Sequence, residues 1–221
     1  MRTLSMILLA GCAKTGGTGP AAEPARAHRY ALRAADFVAQ PARLDELMTQ
    51  YFDVKLLIEA RYADGGPLRL DVASIGEDGE SQNTCAPTQA FDDLDLGEGG
   101  AFTAAADSLR FVTDGTPVEL VDFSIAGTIA AEKMTASRIE GVVDTATLKG
   151  LMGSDDPDAI CTLVGKILPC EPCPHNDHET CWTVVLDAVD VPAVETGLTV
   201  RGADAICADP TCAEAPTCAA P

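Results

Sequence analysis

Asp53-Val54-Lys55-Leu56-Leu57-Ile58-Glu59-Ala60-Arg61-Tyr62-Ala63-Asp64-Gly65-Gly66-Pro67-Leu68-Arg69-Leu70-Asp71-Val72-Ala73 decides the fold. In its first half Val54, Leu56, Ile58, Ala60 and Tyr62 alternate with Lys55, Leu57, Glu59 and Arg61, the period of a strand with one face on a core and the other mostly in water. Asp64-Gly65-Gly66-Pro67 is a turn cluster, after which Leu68, Leu70 and Val72 alternate with Arg69, Asp71 and Ala73. Two alternating runs around such a cluster predict an antiparallel hairpin.

The same period extends outward. Upstream, Tyr30 and Leu32, then Phe37 and Val38 after a slip, predict a first strand, and Pro41 opens a short amphipathic helix carrying Leu44, Leu47, Met48 and Tyr51. Downstream, residues 76–100 are acidic and poor in apolar side chains, which predicts a long loop, tied down at Cys85. Leu109 and Phe111 alternate with Ser108 and Arg110. Val121, Phe123, Ile125 and Ile129 share one parity around a bend or bulge at Gly127, and Ile139, Gly141 and Val143 add another strand. Asp144 is placed to cap a brief helix with Leu148, Leu151 and Met152, closed by Gly153. Asp156, with Pro157 at the first helical position, starts another whose buried stripe is Ile160, Leu163, Val164 and Ile167. Trp182, Val184, Leu186 and Ala188 form a last long strand, with Leu198 and Val200 as an edge. The fold class that follows is mainly β: an antiparallel barrel or sandwich of about seven to nine strands with about three short helices, stapled by disulfides.

Fifteen Lys and Arg face 34 Asp and Glu, a formal charge of -19 in 221 residues. That balance repels phosphate backbones and argues against a nucleic-acid partner. No segment reaches the run of roughly 18 apolar residues that a membrane-spanning helix needs.

The amino terminus carries a different signal. Arg2, the apolar Thr3 to Leu9 and then Leu9-Ala10-Gly11-Cys12 read as a short leader ending in a lipobox. The stretch resembles that of bacterial lipoproteins, and the chain as a whole resembles uncharacterised cysteine-rich envelope lipoproteins of Gram-negative bacteria. The resemblance implies cleavage before Cys12 and acyl chains, palmitate among them, on its sulfur and new amino group. Because Ala13 and not Asp follows, it also implies lipid anchoring at the outer membrane, periplasmic or surface-exposed. The expected division is a signal peptide at 1–11, the lipidated Cys12 with a flexible tether at 12–27, a mainly-β domain at 28–203 and a Cys-rich tail at 204–221.

Setting Cys12 aside, eight cysteines remain: Cys85, Cys161, Cys170, Cys173, Cys181, Cys207, Cys212 and Cys218. An even set in an oxidising compartment reads as four disulfides, with about 105 ways to pair them. A weaker alternative uses Cys170, Cys173, His175, His178 and Cys181 as zinc ligands, since thiolate and imidazole at close spacing are what zinc prefers. Asp92, Asp93, Asp95 and Glu98 offer oxygens for calcium but lack the alternation of a full EF-hand loop. A redox role for Cys170-Glu171-Pro172-Cys173 is disfavoured by its two flanking prolines.

No nucleophile elbow, zinc-protease helix, P-loop or dinucleotide fingerprint occurs. The chain therefore reads as a non-enzymatic binding, adhesion or envelope-assembly module, taking a small molecule, a glycan or a protein. The alternative is a secreted hydrolase working through paired carboxylates, or a small zinc-binding protein.

Overall fold

The computed structural model describes residues 26–33, 37–39, 55–113, 115–165, 169–188, 190–215 and 218. The leader with Cys12, the tether up to residue 25 and the helix expected from Pro41 lie outside them, as do Ile167 and the side chains of Phe37, Val38, Val164, Leu186 and Ala188.

The hairpin sits inside a four-stranded antiparallel sheet. β1 (Arg26–Arg33) pairs with β3 (Lys55–Tyr62), β3 with β4 (Leu68–Ser74) and β4 with β5 (Gln89–Leu94). β1 begins at Arg26, so pairing takes in the last two residues of the segment read as tether. A second antiparallel sheet holds β2 (Phe37–Ala39), β6 (Ala101–Thr113), β7 (Thr116–Ile129), β8 (Lys133–Asp144) and β9 (Cys181–Ala188) in the order β2-β9-β8-β7-β6, with β10 (Val191–Pro192) on β8. Their inner faces share one apolar interior. Tyr30, Leu32, Ile58, Leu70 and Phe91 come from the first sheet, and Leu109, Phe123, Ile125, Met134 and Trp182 from the second. The mainly-β, sandwich-type class is as the alternation predicts, and each fully buried Leu or Ile in such a core contributes about 1.5–3 kcal/mol.

Side chains and a crossing segment close the two open edges. From β5, Gln89 Nε2 donates to the Ser108 carbonyl of β6 at 2.6 Å, and Ser74 Oγ at the end of β4 accepts from Val112 N–H of β6 at 2.9 Å. At the other edge Val191 pairs with Met134 of one sheet and Ala193 bridges to Tyr30 of the other.

Several expectations need correcting. The acidic stretch 76–100 is not all loop: β5 lies within it, hidden in the sequence because Phe91 alone faces deep into the core while Asp92 and Asp93 face out. In β7 the inner positions are Val118 and Leu120, then Phe123, Ile125 and Ile129. The parity changes because Asp122 takes φ 51 and the register with β8 slips between Val121 and Ser124, a bulge that turns Val121 half out. Gly127 marks a second irregularity, as its composition suggests. The outer face of β3 is not wet, since Leu57 and Glu59 are both buried there.

Beyond β8, Asp144 accepts from Ala146 N–H at the head of a 3-10 helix, Thr145–Met152, that ends at Gly153 in the left-handed region. α1 (Ala159–Val164) starts two residues after Pro157, and Leu163 points to solvent, because a six-residue helix buries only Ile160 deeply. Leu198 and Val200 form no strand. Their segment straps the outside of the first sheet, where Val194 and Leu198 cover Ala31, Leu57 and Ile75. The tail is partly ordered by α2 (Ala203–Cys207), which buries Ile206 against Cys212 and Ala215.

Candidate functional site

The eight candidate cysteines pair completely, as Cys85–Cys212, Cys161–Cys170, Cys173–Cys181 and Cys207–Cys218. The zinc alternative loses its sulfur donors by this pairing, because Cys170 is joined to Cys161 and Cys173 to Cys181. Cys170 and Cys173 are not joined to each other, so the Cys-x-x-Cys spacing describes two bridges and no dithiol centre.

The loop between Cys170 and Cys181 is organised around Asp144. Its Oδ1 accepts from Ala146 N–H at 3.0 Å and Thr180 Oγ1 at 2.7 Å, and its Oδ2 contacts His178 Nδ1 at 2.6 Å and Asn176 Nδ2 at 3.3 Å. Burial pushes the Asp144 carboxyl up, but the hydrogen bonds from Thr180, His178, Ala146 and Asn176 outweigh it and hold the group below the usual carboxylate range. His175 takes a different partner, Asp122 on the β7 bulge, with Nε2 at 3.0 Å from Oδ2. The two histidines thus clip one disulfide-bonded loop to two places on the second sheet and do not converge. Among the described residues, the one group of three His, Cys, Asp or Glu ligand atoms lying within 4.8 Å of one another is Asp144, Cys173 and Cys181. Its two sulfurs are already bonded to each other. The calcium candidates Asp92, Asp93, Asp95 and Glu98 form no such group, and Asp92 is instead paired with Arg69 at 2.8 Å.

A second cluster, missed in the sequence, lies on the outer face of the first sheet. The register places Glu59 opposite Asp71 and Arg61 opposite Arg69, two like-charged pairs that would repel directly across the strands. Contacts within each strand, across to β1 and along one diagonal relieve this. Arg61 bridges Glu59 and Asp71 (3.2 Å to the latter), Arg29 binds Glu59, and Arg69 binds Asp71 at 2.9 Å. Both carboxylates are almost wholly buried beneath partly exposed guanidiniums. Burial pushes Glu59 up, yet the hydrogen bonds and charges of Arg29 and Arg61 hold it below the usual range. Two buried carboxylates whose oxygens are taken up by guanidiniums have no open face for a substrate, so this cluster reads as a structural network. Part of its signal was available: counting back from Gly65-Gly66 gives the β3–β4 register, and Arg61 then lies diagonal to Asp71.

The third place is a surface cleft of about 670 Å³ between residues 87–89 and the β6–β7 hairpin. Phe111 and Val118 line it on the hairpin side, Pro87 and Gln89 on the other, and the ion pair Arg110–Glu119 sits within it at 2.9 Å. No sequence motif marks it.

Compared with known protein families, with curated proteins and with solved structures, the chain matches none.

Proposed function

We propose that this chain is a membrane-anchored envelope lipoprotein: Cys12 carries the lipid at the outer membrane, and the domain from β1 onward is a non-enzymatic binding module, periplasmic or surface-facing. The observation that carries the reading is the cysteine count. Nine cysteines are present, and the eight after Cys12 are all taken up in bridges with one another. Cys12 is therefore the one cysteine left for another fate, and it stands directly after Leu9-Ala10-Gly11. Four disulfides favour an oxidising compartment, in agreement with export. Several acyl chains on one residue give stable attachment, since each buried methylene adds about 0.8 kcal/mol.

Support for binding over hydrolysis comes from the carboxylates. Glu59 and Asp71 face each other but are saturated by guanidiniums, and Asp144 is saturated by the loop it organises, so these three carboxylates are committed to holding the fold.

Intact-mass measurement of membrane-extracted protein tests the reading. The expected species begins at Cys12, carries acyl mass, and takes up eight alkyl labels only after reduction. Cys12→Ser is expected to move the protein from the membrane pellet to the soluble fraction. A Cys12→Ser protein that still pellets, or an unmodified Cys12 in the native chain, overturns the proposal.

A further inference from the structure

We infer that the cleft between residues 87–89 and the β6–β7 hairpin binds a small amphiphile with an apolar body and a single cationic group, which Glu119 receives. The inference rests on the reading of the domain as a binding module and is independent of the anchor.

At about 670 Å³ the cleft falls within the range of roughly 300–1,000 Å³ typical of small-molecule sites. Its floor is apolar: half-buried Val112 and exposed Pro117 lie on the same face of the hairpin as Arg110 and Glu119, and Pro87 also lines the opening. The wall bearing Pro87 is fixed before any ligand arrives. Cys85 two residues away is bonded to Cys212, Thr88 N–H donates to the Arg201 carbonyl at 2.9 Å, and Arg201 reaches the Thr84 carbonyl at 2.9 Å. Gln89 is likewise committed to β6, bonding the Ser108 carbonyl and the Arg110 N–H. A cleft already rigid loses little ordering entropy on binding.

Charge decides the ligand class. The Arg110–Glu119 pair is solvent-exposed, 70% and 41% respectively, and so is weakly held and exchangeable. Glu119 is the more sheltered partner, whereas Arg110 can swing outward without losing burial. The rest of the molecule biases the exchange in one direction: with 34 acidic against 15 basic residues, its field concentrates cations and repels anions. An incoming ammonium group replaces Arg110 at Glu119, while its alkyl portion covers Val112, Pro117 and Pro87.

Calorimetric titration of the full-length Cys12→Ser protein with n-octylammonium, and with octanoate as the anion of equal chain length, tests this. Octylammonium is expected to bind at one saturable site and octanoate not to bind. Glu119→Gln is expected to weaken octylammonium by about tenfold or more, as the loss of a charge-assisted hydrogen bond does. Arg110→Gln should leave binding unchanged or tighten it. Glu132→Gln, a charge change on the exposed turn before β8, should have no effect. The inference is overturned by absence of saturable binding, by octanoate binding that Arg110→Gln abolishes, or by equal weakening from Glu119→Gln and Glu132→Gln, which means diffuse attraction to an acidic surface. Failure of this titration leaves the mass and fractionation results of the anchoring proposal untouched, and the reverse also holds.

Discussion

The residues from 55 to 143 and those from 159 to 218 hold their shape in different ways. The first region supplies most of the main core, to which the second, among the described residues, adds Ile160, Trp182, Val184 and Val191. The bonded cysteines are distributed in reverse: Cys85 alone lies in the first region, and seven lie in the second. Where strands bury apolar side chains on a shared interior, no cross-link is needed. Where short helices and loops cannot bury enough area to offset their ordering entropy, disulfides restrict the unfolded chain instead.

That contrast can be broken experimentally. The largest effect is expected from Cys85→Ser/Cys212→Ser, the single bridge that joins the two regions across 127 residues. Loop closure of that length is worth up to about 5 kcal/mol, and the urea midpoint should fall accordingly. Far-UV circular dichroism of the reduced protein should still show the β signal of the two sheets; its parallel loss would mean that the sheets too depend on the bridges. Next comes Leu70→Ala, which removes a fully buried side chain from β4. It should cost about 2–5 kcal/mol by thermal or urea unfolding, and by the same amount with or without reductant, since the core does not lean on the bridges.

The smallest effect sharpens the comparison through pH. Glu59 in the first region and Asp144 beside the second are both held below the usual carboxylate range in the folded protein. The folded state therefore binds fewer protons than the unfolded chain near pH 4. The stability these groups add is present above the unfolded values of roughly 4 and is lost as pH falls below them toward the folded ones. Asp144→Asn should cost roughly 1–3 kcal/mol at pH 7 and flatten part of the loss between pH 5 and 3. An unchanged acid profile in Asp144→Asn would show that the loop does not draw on this carboxylate.

How much of this was legible depends on whether the signal is local. The hairpin at Gly65-Gly66, the cap at Asp144 and the stop at Gly153 were readable because turn, cap and period are properties of adjacent residues. β5 was not, because one Phe between acidic residues carries no period. The β7 parity was misread because a bulge at Asp122 moves the inner set by one place, and nothing in Val121-Asp122-Phe123 announces a left-handed aspartate. The eight-cysteine set could be counted, but its pairing is a fact of three-dimensional proximity. The cleft has the least sequence signature of all, since residues 87, 111 and 118 meet only when β5 and the β6–β7 hairpin are packed together.

Gly100 shows how tightly the turn into the second sheet is drawn: at φ +84, a Cβ there would fall 2.4 Å from the Ile129 carbonyl oxygen. The longest disulfide places a comparable demand on time. A ribosome delivers Cys85 well before Cys161, Cys170, Cys173, Cys181 and Cys207, all of which appear ahead of its true partner Cys212. An oxidant joining these thiols in order of appearance would tie Cys85 to Cys161 and Cys170 to Cys173, and neither is a bridge of the folded protein. Refolding of the reduced protein is therefore expected to be faster and more complete with a catalyst that reopens wrong bridges than with an oxidant alone.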